Sequence, residues 1–322
     1  MTNLATNLTS TAATNAEQDA LRINGQGVTY AQLHAMAAAV AGALRANGIQ
    51  PGDRVAIILP NVPAFPVVYW GILLAAGIVV PLNPLLKAGE IDYFFTDSGA
   101  KIAFVWPDFV PEATKGAQNS GTQIIECGPM GPVAGSFEGG DPITDPHERA
   151  DDDTAIILYT SGTTGRPKGA ELTHSNIHLN ALRSAKVIQQ MTADDIVMGC
   201  LPLFHVFGLV VGLNAATIAG ASLALIPRFD PAAAIEVIEK ERVTIMQGVP
   251  TMYAAILNHP ASDGMDASSL RTCASGGSAM PLEVMRSFEE KFGCVILEGY
   301  GLSETSPVAS FNMPTMERKP GT

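Results

Sequence analysis

The stretch that decides the fold of this chain reads YTSGTTGRPKG, from Tyr159 to Gly169. It directly follows the apolar run Ala155 to Leu158, and it holds three glycines, four aliphatic hydroxyl side chains and Lys168. Glycine allows positive φ and lets several backbone N–H groups point to one place, while hydroxyls add donors and lysine adds a cation. The pattern predicts a strand that leads into a loop for a polyphosphate.

The loop differs from the Walker A pattern. Counting from Gly162, the position where G-x-x-x-x-G-K-[ST] requires its second glycine holds Pro167. A glycine-rich hairpin without a phosphate role is the alternative interpretation of such a loop. The presence of Lys168 and the order of the residues favour the phosphate loop.

Two later blocks follow the loop along the chain. PLFHVFG runs from Pro202 to Gly208, and GYGLSET runs from Gly299 to Thr305. With the loop and the AELTH after it, these blocks resemble the motifs of the adenylate-forming enzymes, which include acyl-CoA synthetases, luciferases and adenylation domains of peptide synthetases. The resemblance extends from about Asp19 to the last residue. The amino-acid sequence of the motifs is most similar to that of bacterial long-chain fatty-acid–CoA ligases.

The resemblance implies that a carboxylate joins the α-phosphate of ATP, that pyrophosphate leaves, and that CoA then accepts the acyl group. Such a reaction needs neutralised phosphate charge, a divalent ion, an adenine slot and an acid pocket. ATP, Mg²⁺ and the cosubstrate CoA are therefore the expected ligands. In the manner of the family, the β- and γ-phosphates would be held by Thr160, Ser161, Gly162, Thr163, Thr164, Gly165 and Lys168.

A carboxylate and a hydroxyl stand together at Glu304 and Thr305. Taken alone, this glutamate would be a solvated surface acid. Because Mg²⁺ prefers oxygen ligands, the resemblance implies that Glu304 ligates Mg²⁺ and that Thr305 contacts the α-phosphate. The residues predicted to act in catalysis are Lys168, His205 and Thr305.

Glycines also surround the predicted adenine site. Tyr300 offers a flat face for purine stacking, with a buried core tyrosine as the alternative. Gly276 and Gly277 would let adenine approach the backbone, or form a tight strand-to-helix turn, and these interpretations are compatible. Gly301 completes the predicted set of nucleotide contacts. Glu298 stands where relatives often carry Gln or Asn, and it offers adenine an acceptor but no donor.

His205 stands between Phe204 and Phe207. A lone histidine among apolar residues is usually a satisfied core group, whereas the resemblance implies a position near the reacting carboxylate. Phe-His-Val-Phe contains no anion for a substrate ammonium, so the acid is expected to lack an α-amino group. The small residues Gly276, Gly277 and Gly301 would leave an open apolar slot of the kind that ligand pockets use.

The expected substrate is a small-molecule carboxylic acid, specifically a fatty acid. An aryl-CoA ligase or a ligase for another acid is the alternative within the same superfamily. A noncatalytic nucleotide-binding module is the alternative from another class of protein. Fatty substrates would favour peripheral contact with a membrane, although the sequence has no strongly basic amphipathic helix to support it.

Apolar strands and amphipathic helices alternate around the motifs. Thr29 and Gln32 form a capping box, and the pattern predicts a strand at Ile102–Val105 and a helix at Leu282–Phe292. Strands separated by helices imply parallel sheets covered on both faces. The predicted fold class is layered α/β (αβαβα) with parallel-rich sheets flanked by helices, as in the large N-terminal domain of the family.

Two segments are predicted from the same sequence. Residues 1–17 read as a flexible leader, and residues 18–322 read as a truncated N-terminal adenylation domain of two layered subdomains. The C-terminal domain that carries the family's adenylation lysine is expected to be absent. This chain alone is therefore expected to bind ATP or an acyl-adenylate but to form little acyl-CoA.

Composition excludes several classes of function. The formal charge of −12 over 322 residues argues against nucleic-acid binding, and 47% hydrophobic residues allow a sizeable core. Four cysteines without a C-x-x-C pair suggest reduced thiols in a cytoplasmic protein. No apolar stretch reaches the ~20 residues that a transmembrane helix needs.

Overall fold

A computed structural model describes residues 3–160 and 165–320. In chain order, the α-helices of these residues are α1 (Thr6–Thr14), α2 (Tyr30–Ala46), α3 (Ala64–Leu74), α4 (Ala88–Ser98), α5 (Val110–Gly116), α6 (His174–Arg183), α7 (Ala215–Ala219), α8 (Pro231–Lys240), α9 (Pro250–Leu257) and α10 (Leu282–Phe292). The strands are β1 (Asp19–Ile23), β2 (Gln26–Thr29), β3 (Arg54–Ile58), β4 (Ile78–Pro81), β5 (Ile102–Val105), β6 (Gln123–Gly128), β7 (Gly131–Pro132), β8 (Thr154–Thr160), β9 (Lys168–Thr173), β10 (Ile196–Gly199), β11 (Ser222–Leu225), β12 (Ile245–Gly248), β13 (Thr272–Ser275), β14 (Ile296–Gly301) and β15 (Val308–Phe311). Two π-helices occupy Ser184–Ile188 and Phe207–Asn214.

The chain divides into two structural units. The first unit runs to Glu17 and includes Thr29–His178 and Leu203–His205. The second unit contains Gln18–Val28, Leu179–Pro202 and the chain from Val206 onward.

A seven-stranded sheet forms the centre of the first unit, in the order β7-β6-β5-β3-β4-β8-β9. The five strands from β6 to β8 pair in parallel, while β7 and β9 pair antiparallel at the two edges. Every residue of β4 and β5 is buried, as expected for parallel strands covered on both faces. The core of this unit includes Phe65, Trp70 and Phe104, which are all fully buried.

An eight-stranded sheet forms the second unit, in the order β15-β14-β13-β12-β10-β11-β1-β2. The strands from β14 to β1 pair in parallel, and β15 pairs antiparallel with β14. Helices α9 and α10 cover this sheet, where the rings of Tyr253 and Phe288 meet edge to face at 5.1 Å. The predicted fold class of parallel-rich sheets flanked by helices is therefore confirmed.

The predicted flexible leader is wrong for the N-terminal residues that the structure describes. Residues Thr6–Thr14 form α1, and Leu4 and Leu8 are completely buried. The backbone N–H of Leu4 donates to Nδ1 of His174 at 3.0 Å. Leucines spaced four residues apart give this polar segment one apolar face, and tertiary burial of that face outweighs its weak helix propensity.

Predictions that depend on residues close together in the sequence are confirmed. The capping box is present: the Gln32 backbone N–H donates to the Thr29 hydroxyl at 3.2 Å, and the Thr29 N–H donates to the Gln32 side chain at 2.9 Å. Strand β5 and helix α10 have the predicted bounds. The four cysteines are unbridged and buried. No helix within residues 3–160 and 165–320 has the length and apolar character needed to cross a membrane.

Candidate functional site

The predicted phosphate loop lies at the end of an antiparallel hairpin in the first unit. Strands β8 and β9 pair up to Tyr159 with Gly169 and Thr160 with Lys168. Lys168 therefore begins β9 directly opposite the last residue of β8, and its side chain is exposed. Gly165 has φ +91°, a conformation that favours glycine.

Four of the predicted phosphate contacts lie outside the described residues. They are Ser161, Gly162, Thr163 and Thr164. The structure places the remaining three, Thr160, Gly165 and Lys168, in the same hairpin. Their contacts with a nucleotide remain predictions.

Helix α4 contacts both arms of the hairpin. The Tyr159 hydroxyl donates to Oδ2 of Asp97 at 2.7 Å, and the Tyr93 hydroxyl donates to the Pro167 carbonyl at 2.7 Å. The ring of Phe94 lies 4.5 Å from the Tyr159 ring and 5.5 Å from the Tyr93 ring. Burial, together with the hydrogen bond to Asp97, raises the pKa of Tyr159 well above its usual 10. The Tyr159 hydroxyl therefore remains a proton donor.

Gly169 has a packing role next to this contact. A Cβ at this position would lie 2.8 Å from Cγ2 of Ile157 and 3.5 Å from the Tyr159 ring. A side chain there would push against β8 just before the loop begins. The glycine therefore leaves room for the Ile157 side chain on β8.

In the second unit, three parallel strands end side by side. Gly248 on β12 pairs with Ser275 on β13, and Ser275 pairs with Glu298 on β14. The carboxyl ends of parallel strands form one edge of a sheet, the usual place for ligands in open α/β sheets. The predicted adenine segments at Gly276 and Tyr300 follow directly from this edge.

The glycine turn after β13 is tight. Gly277 has φ +81°, and a Cβ on Gly276 would lie 3.1 Å from Cε1 of Phe207. The Met280 N–H donates to the Glu298 carboxylate at 3.1 Å. Glu298 therefore ties this turn to β14, a structural task that the sequence did not reveal.

Tyr300 is exposed over 64% of its surface, so the alternative of a buried core tyrosine is wrong. The glycines on either side of Tyr300 leave room for the segment from Pro307 through β15. A Cβ on Gly299 would lie 2.2 Å from the ring of Phe311, and one on Gly301 would lie 2.1 Å from the Pro307 carbonyl oxygen. The space beside Gly301 is thus filled by the chain itself, and the expectation that this glycine opens an apolar slot is wrong.

Glu304 and Thr305 lie in a 3₁₀ turn, Ser303–Thr305, in which the Glu304 side chain is exposed. The Thr305 hydroxyl accepts from the Leu302 N–H at 2.9 Å and donates to the Pro307 carbonyl. The turn is therefore held by the same hydroxyl that is predicted to contact the α-phosphate.

Asn180 on α6 holds this turn from outside. Its amide nitrogen donates to the carbonyls of Thr305 at 3.2 Å and Val308 at 3.0 Å, and its amide oxygen accepts from the Val308 N–H at 3.3 Å. Sequence reasoning missed this residue, because an asparagine on the polar face of a helix carries no local sign of such a role.

Glu304 offers a single exposed carboxylate, and oxygen ligands of this kind are the ones that Mg²⁺ prefers. Across residues 3–160 and 165–320, no three His, Cys, Asp or Glu side chains are grouped closely enough to hold a metal ion. An ion bound by a single exposed carboxylate would complete its octahedron with phosphate oxygens and water. Ligation of Mg²⁺ by Glu304 remains a prediction.

His205 lies in the short segment Leu203–His205, which belongs to the first unit. Its side chain is exposed, so it is not a core histidine. Partial desolvation by neighbouring atoms lowers its pKa below the usual 6.5. The segment is held by the Leu203 N–H, which donates to Oδ1 of the buried Asn61 at 2.9 Å. At neutral pH the imidazole is therefore uncharged and can accept or donate one hydrogen bond.

The structure groups the predicted residues in two sets. The first unit holds Thr160, Gly165, Lys168 and His205. The second unit holds Gly276, Gly277, Tyr300, Gly301, Glu304 and Thr305.

Two parallel-rich sheets flanked by helices place the chain in the layered α/β class of folds, and comparisons with known proteins make this assignment more specific. The sequence matches the family profile for AMP-binding enzymes over residues 8–322. It is 33% identical to a long-chain-fatty-acid–CoA ligase of Bacillus subtilis (strain 168), over 98% of this chain and 62% of that protein. It is 35% identical to a feruloyl-CoA synthase of an Amycolatopsis species, over 89% of this chain and 57% of that protein.

A solved structure agrees with these matches. The benzoate CoA ligase from Burkholderia xenovorans LB400 superimposes with a TM-score of 0.89 at 30% identity, over 97% of this chain and 63% of that one. The chain belongs to the AMP-binding enzyme family. It spans about three fifths of the length of the relatives named above.

Proposed function

We propose that this chain is the ATP-binding and acid-binding part of a ligase that converts a carboxylic acid to its acyl-adenylate and then to its CoA thioester. The observation that carries the proposal is the pairing of Lys168 with Thr160 at the base of the loop hairpin. This pairing fixes an ammonium-bearing residue beside the loop, where it would neutralise charge on the β- and γ-phosphates.

Each of the predicted site residues would have its own role in this reaction. The substrate carboxylate attacks the α-phosphorus, and the bond to pyrophosphate breaks. Lys168 would stabilise the departing pyrophosphate. The Thr305 hydroxyl would turn from the Pro307 carbonyl to donate to an α-phosphate oxygen. Tyr300 would stack on the adenine. Mg²⁺, held in part by Glu304, would neutralise phosphate charge. His205, uncharged at neutral pH, would orient the carboxylate by a hydrogen bond.

A fatty acid is the proposed substrate class. Support comes from a small apolar cluster in the second unit, made of Leu201, Phe207 and Val211 with Val249, Met252 and Val308 packed against it. Phe207 in this cluster also lies beside Gly276. Relatives carry the names of both fatty-acid and aryl-acid ligases, so an aryl acid is the second candidate.

Two measurements test the proposal. Calorimetric titration of residues 1–322 with ATP and Mg²⁺ should give saturable binding, which the substitution Lys168→Met should weaken. Exchange of labelled pyrophosphate into ATP, measured on the full polypeptide encoded by the gene, should be stimulated most by fatty acids. If aryl acids stimulated the exchange most strongly, the substrate would be an aryl acid and not a fatty acid. Binding without any exchange would favour a noncatalytic nucleotide-binding module, and absence of binding would contradict the proposal.

A further inference from the structure

Helix α4 presents two residues, one turn apart, to the two arms of the loop hairpin. Tyr93 and Asp97 are separated by four positions, so they lie on the same face of the helix. Asp97 accepts from the Tyr159 hydroxyl on the arm that enters the loop, and Tyr93 donates to Pro167 on the arm that leaves it. Pro167 immediately precedes Lys168.

We propose that α4 positions the two arms of the loop hairpin, at Tyr159 and Pro167, and that Tyr93 sets the location of the Lys168 ammonium through its bond to Pro167. This inference rests on the proposed function, because it assumes that Lys168 meets phosphate. Tyr93 and Asp97 act through the loop arms and do not themselves touch the nucleotide.

The helix is itself firmly held at both ends. At its start, the Lys87 N–H donates to Glu90 and the Ala88 N–H donates to Glu112, each at 2.9 Å. At its end, Nε of Arg54 on β3 donates to the Ser98 carbonyl at 2.6 Å. A site is located more accurately when it is supported from a rigid element than when a loop stands alone. Here the support connects the loop arms to β3 at the centre of the sheet.

Aromatic packing reinforces the two hydrogen bonds. The Phe94 ring lies 4.5 Å from the Tyr159 ring, and the Tyr93 ring lies 6.4 Å from it. The guanidinium of Arg166, one residue before Pro167, lies 6.0 Å from the centre of the Tyr93 ring. This distance is within the range of a cation–π contact. Tyr93 therefore contacts the returning arm through its ring as well as its hydroxyl.

The test removes a single hydroxyl. Tyr93→Phe keeps the ring, and therefore the packing, but deletes the bond to Pro167. We expect it to weaken ATP binding by residues 1–322 about 3- to 10-fold, the loss typical of one hydrogen bond. We also expect faster amide hydrogen exchange in a peptide covering residues 165–170 without nucleotide. Asn119→Ala is the matched control, because it deletes a 3.1 Å bond from Asn119 to Asp92 on the same helix.

The outcomes separate this inference from the proposed function. Weaker ATP binding and faster exchange in Tyr93→Phe, but not in Asn119→Ala, support both. Unchanged exchange and unchanged ATP affinity in Tyr93→Phe overturn the role of α4, while loss of affinity in Lys168→Met would leave the proposed function standing. Should the unsubstituted chain fail to bind ATP, the exchange rates alone decide whether Tyr93 positions the loop. Equal effects of both variants would also overturn the inference, since they would indicate general loosening of the helix.

Discussion

Lys168 lies directly across from Thr160 in the last residue pair of the β8–β9 hairpin. The pairing of the two strands, rather than the loop itself, therefore fixes the backbone position from which the Lys168 side chain extends. A cation placed on a strand has less freedom than one placed in the loop tip, so less order must be gained when an anion binds.

Replacing the ammonium should show its contribution. Lys168→Met keeps most of the aliphatic stem and removes the charge, and we expect ATP affinity to fall about 10- to 100-fold, as for a lost hydrogen bond to a charged group. Calorimetric titration at two salt concentrations measures the effect. Lys240→Met, which removes an exposed cation that pairs with Glu236, is the control. Equal affinities for Lys168→Met and the unsubstituted chain would contradict the phosphate role.

Two substitutions should separate the contribution of the Tyr300 ring to ATP binding from that of its hydroxyl. Because the ring is largely exposed, Tyr300→Ala should weaken ATP binding by about 1 kcal/mol with little effect on folding, whereas Tyr300→Phe should retain most of the affinity. Fluorescence titration with an adenine nucleotide compares the two. If both variants bind equally tightly, Tyr300 does not stack on the base.

Asn180 should control the turn that presents Glu304. Asn180→Ala removes three hydrogen bonds to Thr305 and Val308, and we expect roughly 1–3 kcal/mol lower unfolding free energy. ATP binding should weaken more with Mg²⁺ than without it, because the turn carries the proposed metal ligand. Asn258→Ala, which removes a single exposed bond to Ala254, is the control. An equal loss with and without Mg²⁺ would argue against a metal role for this turn.

His174 should make stability depend on pH. Burial first, and then the nearby Arg149, lower its pKa from 6.5 to about 4. Between these values the unfolded chain binds the proton more readily, so stability should be complete above pH 6.5 and fall as the pH drops towards 4. The loss should approach roughly 3 kcal/mol, and urea unfolding between pH 4.5 and 7.5 measures it.

A substitution isolates this contribution. His174→Asn keeps an acceptor for the Leu4 N–H but cannot titrate, so its stability should vary less with pH. A smaller slope should remain, because the pKa of His178 on the same helix is also lowered by burial. Identical pH profiles for His174→Asn and the unsubstituted chain would exclude His174 as the cause.

Sequence reasoning succeeded where the signal was local. The capping box at Thr29 and the amphipathic pattern of α10 depend on residues a few positions apart. The strand before the loop was also predicted, because an apolar run followed by glycines has a short-range pattern. The antiparallel partner β9 was not predicted, because this strand lies at the sheet edge and has only one buried residue, Leu172, so it lacks an apolar run.

Long-range contacts account for the residues that were missed. Tyr93 meets Pro167 across 74 positions, and Asn180 meets Thr305 across 125. Nothing in the neighbourhood of either residue along the chain reveals such a partner. The apolar pattern of the sequence also predicts one helix from about Ser175 to Gln190, whereas the structure continues after α6 as the π-helix Ser184–Ile188. The spacing of apolar residues along the sequence does not distinguish the wider turns of a π-helix from those of an α-helix.

The glycines beside Tyr300 change how the block GYGLSET should be interpreted in other sequences. Phe311 and Pro307 occupy the places where side chains at 299 and 301 would go. A descendant that lacked the proposed activity would still need both glycines for this packing. Decay of chemistry in such a descendant would instead become visible at the solvent-facing positions 168, 300 and 304, where folding imposes far weaker demands.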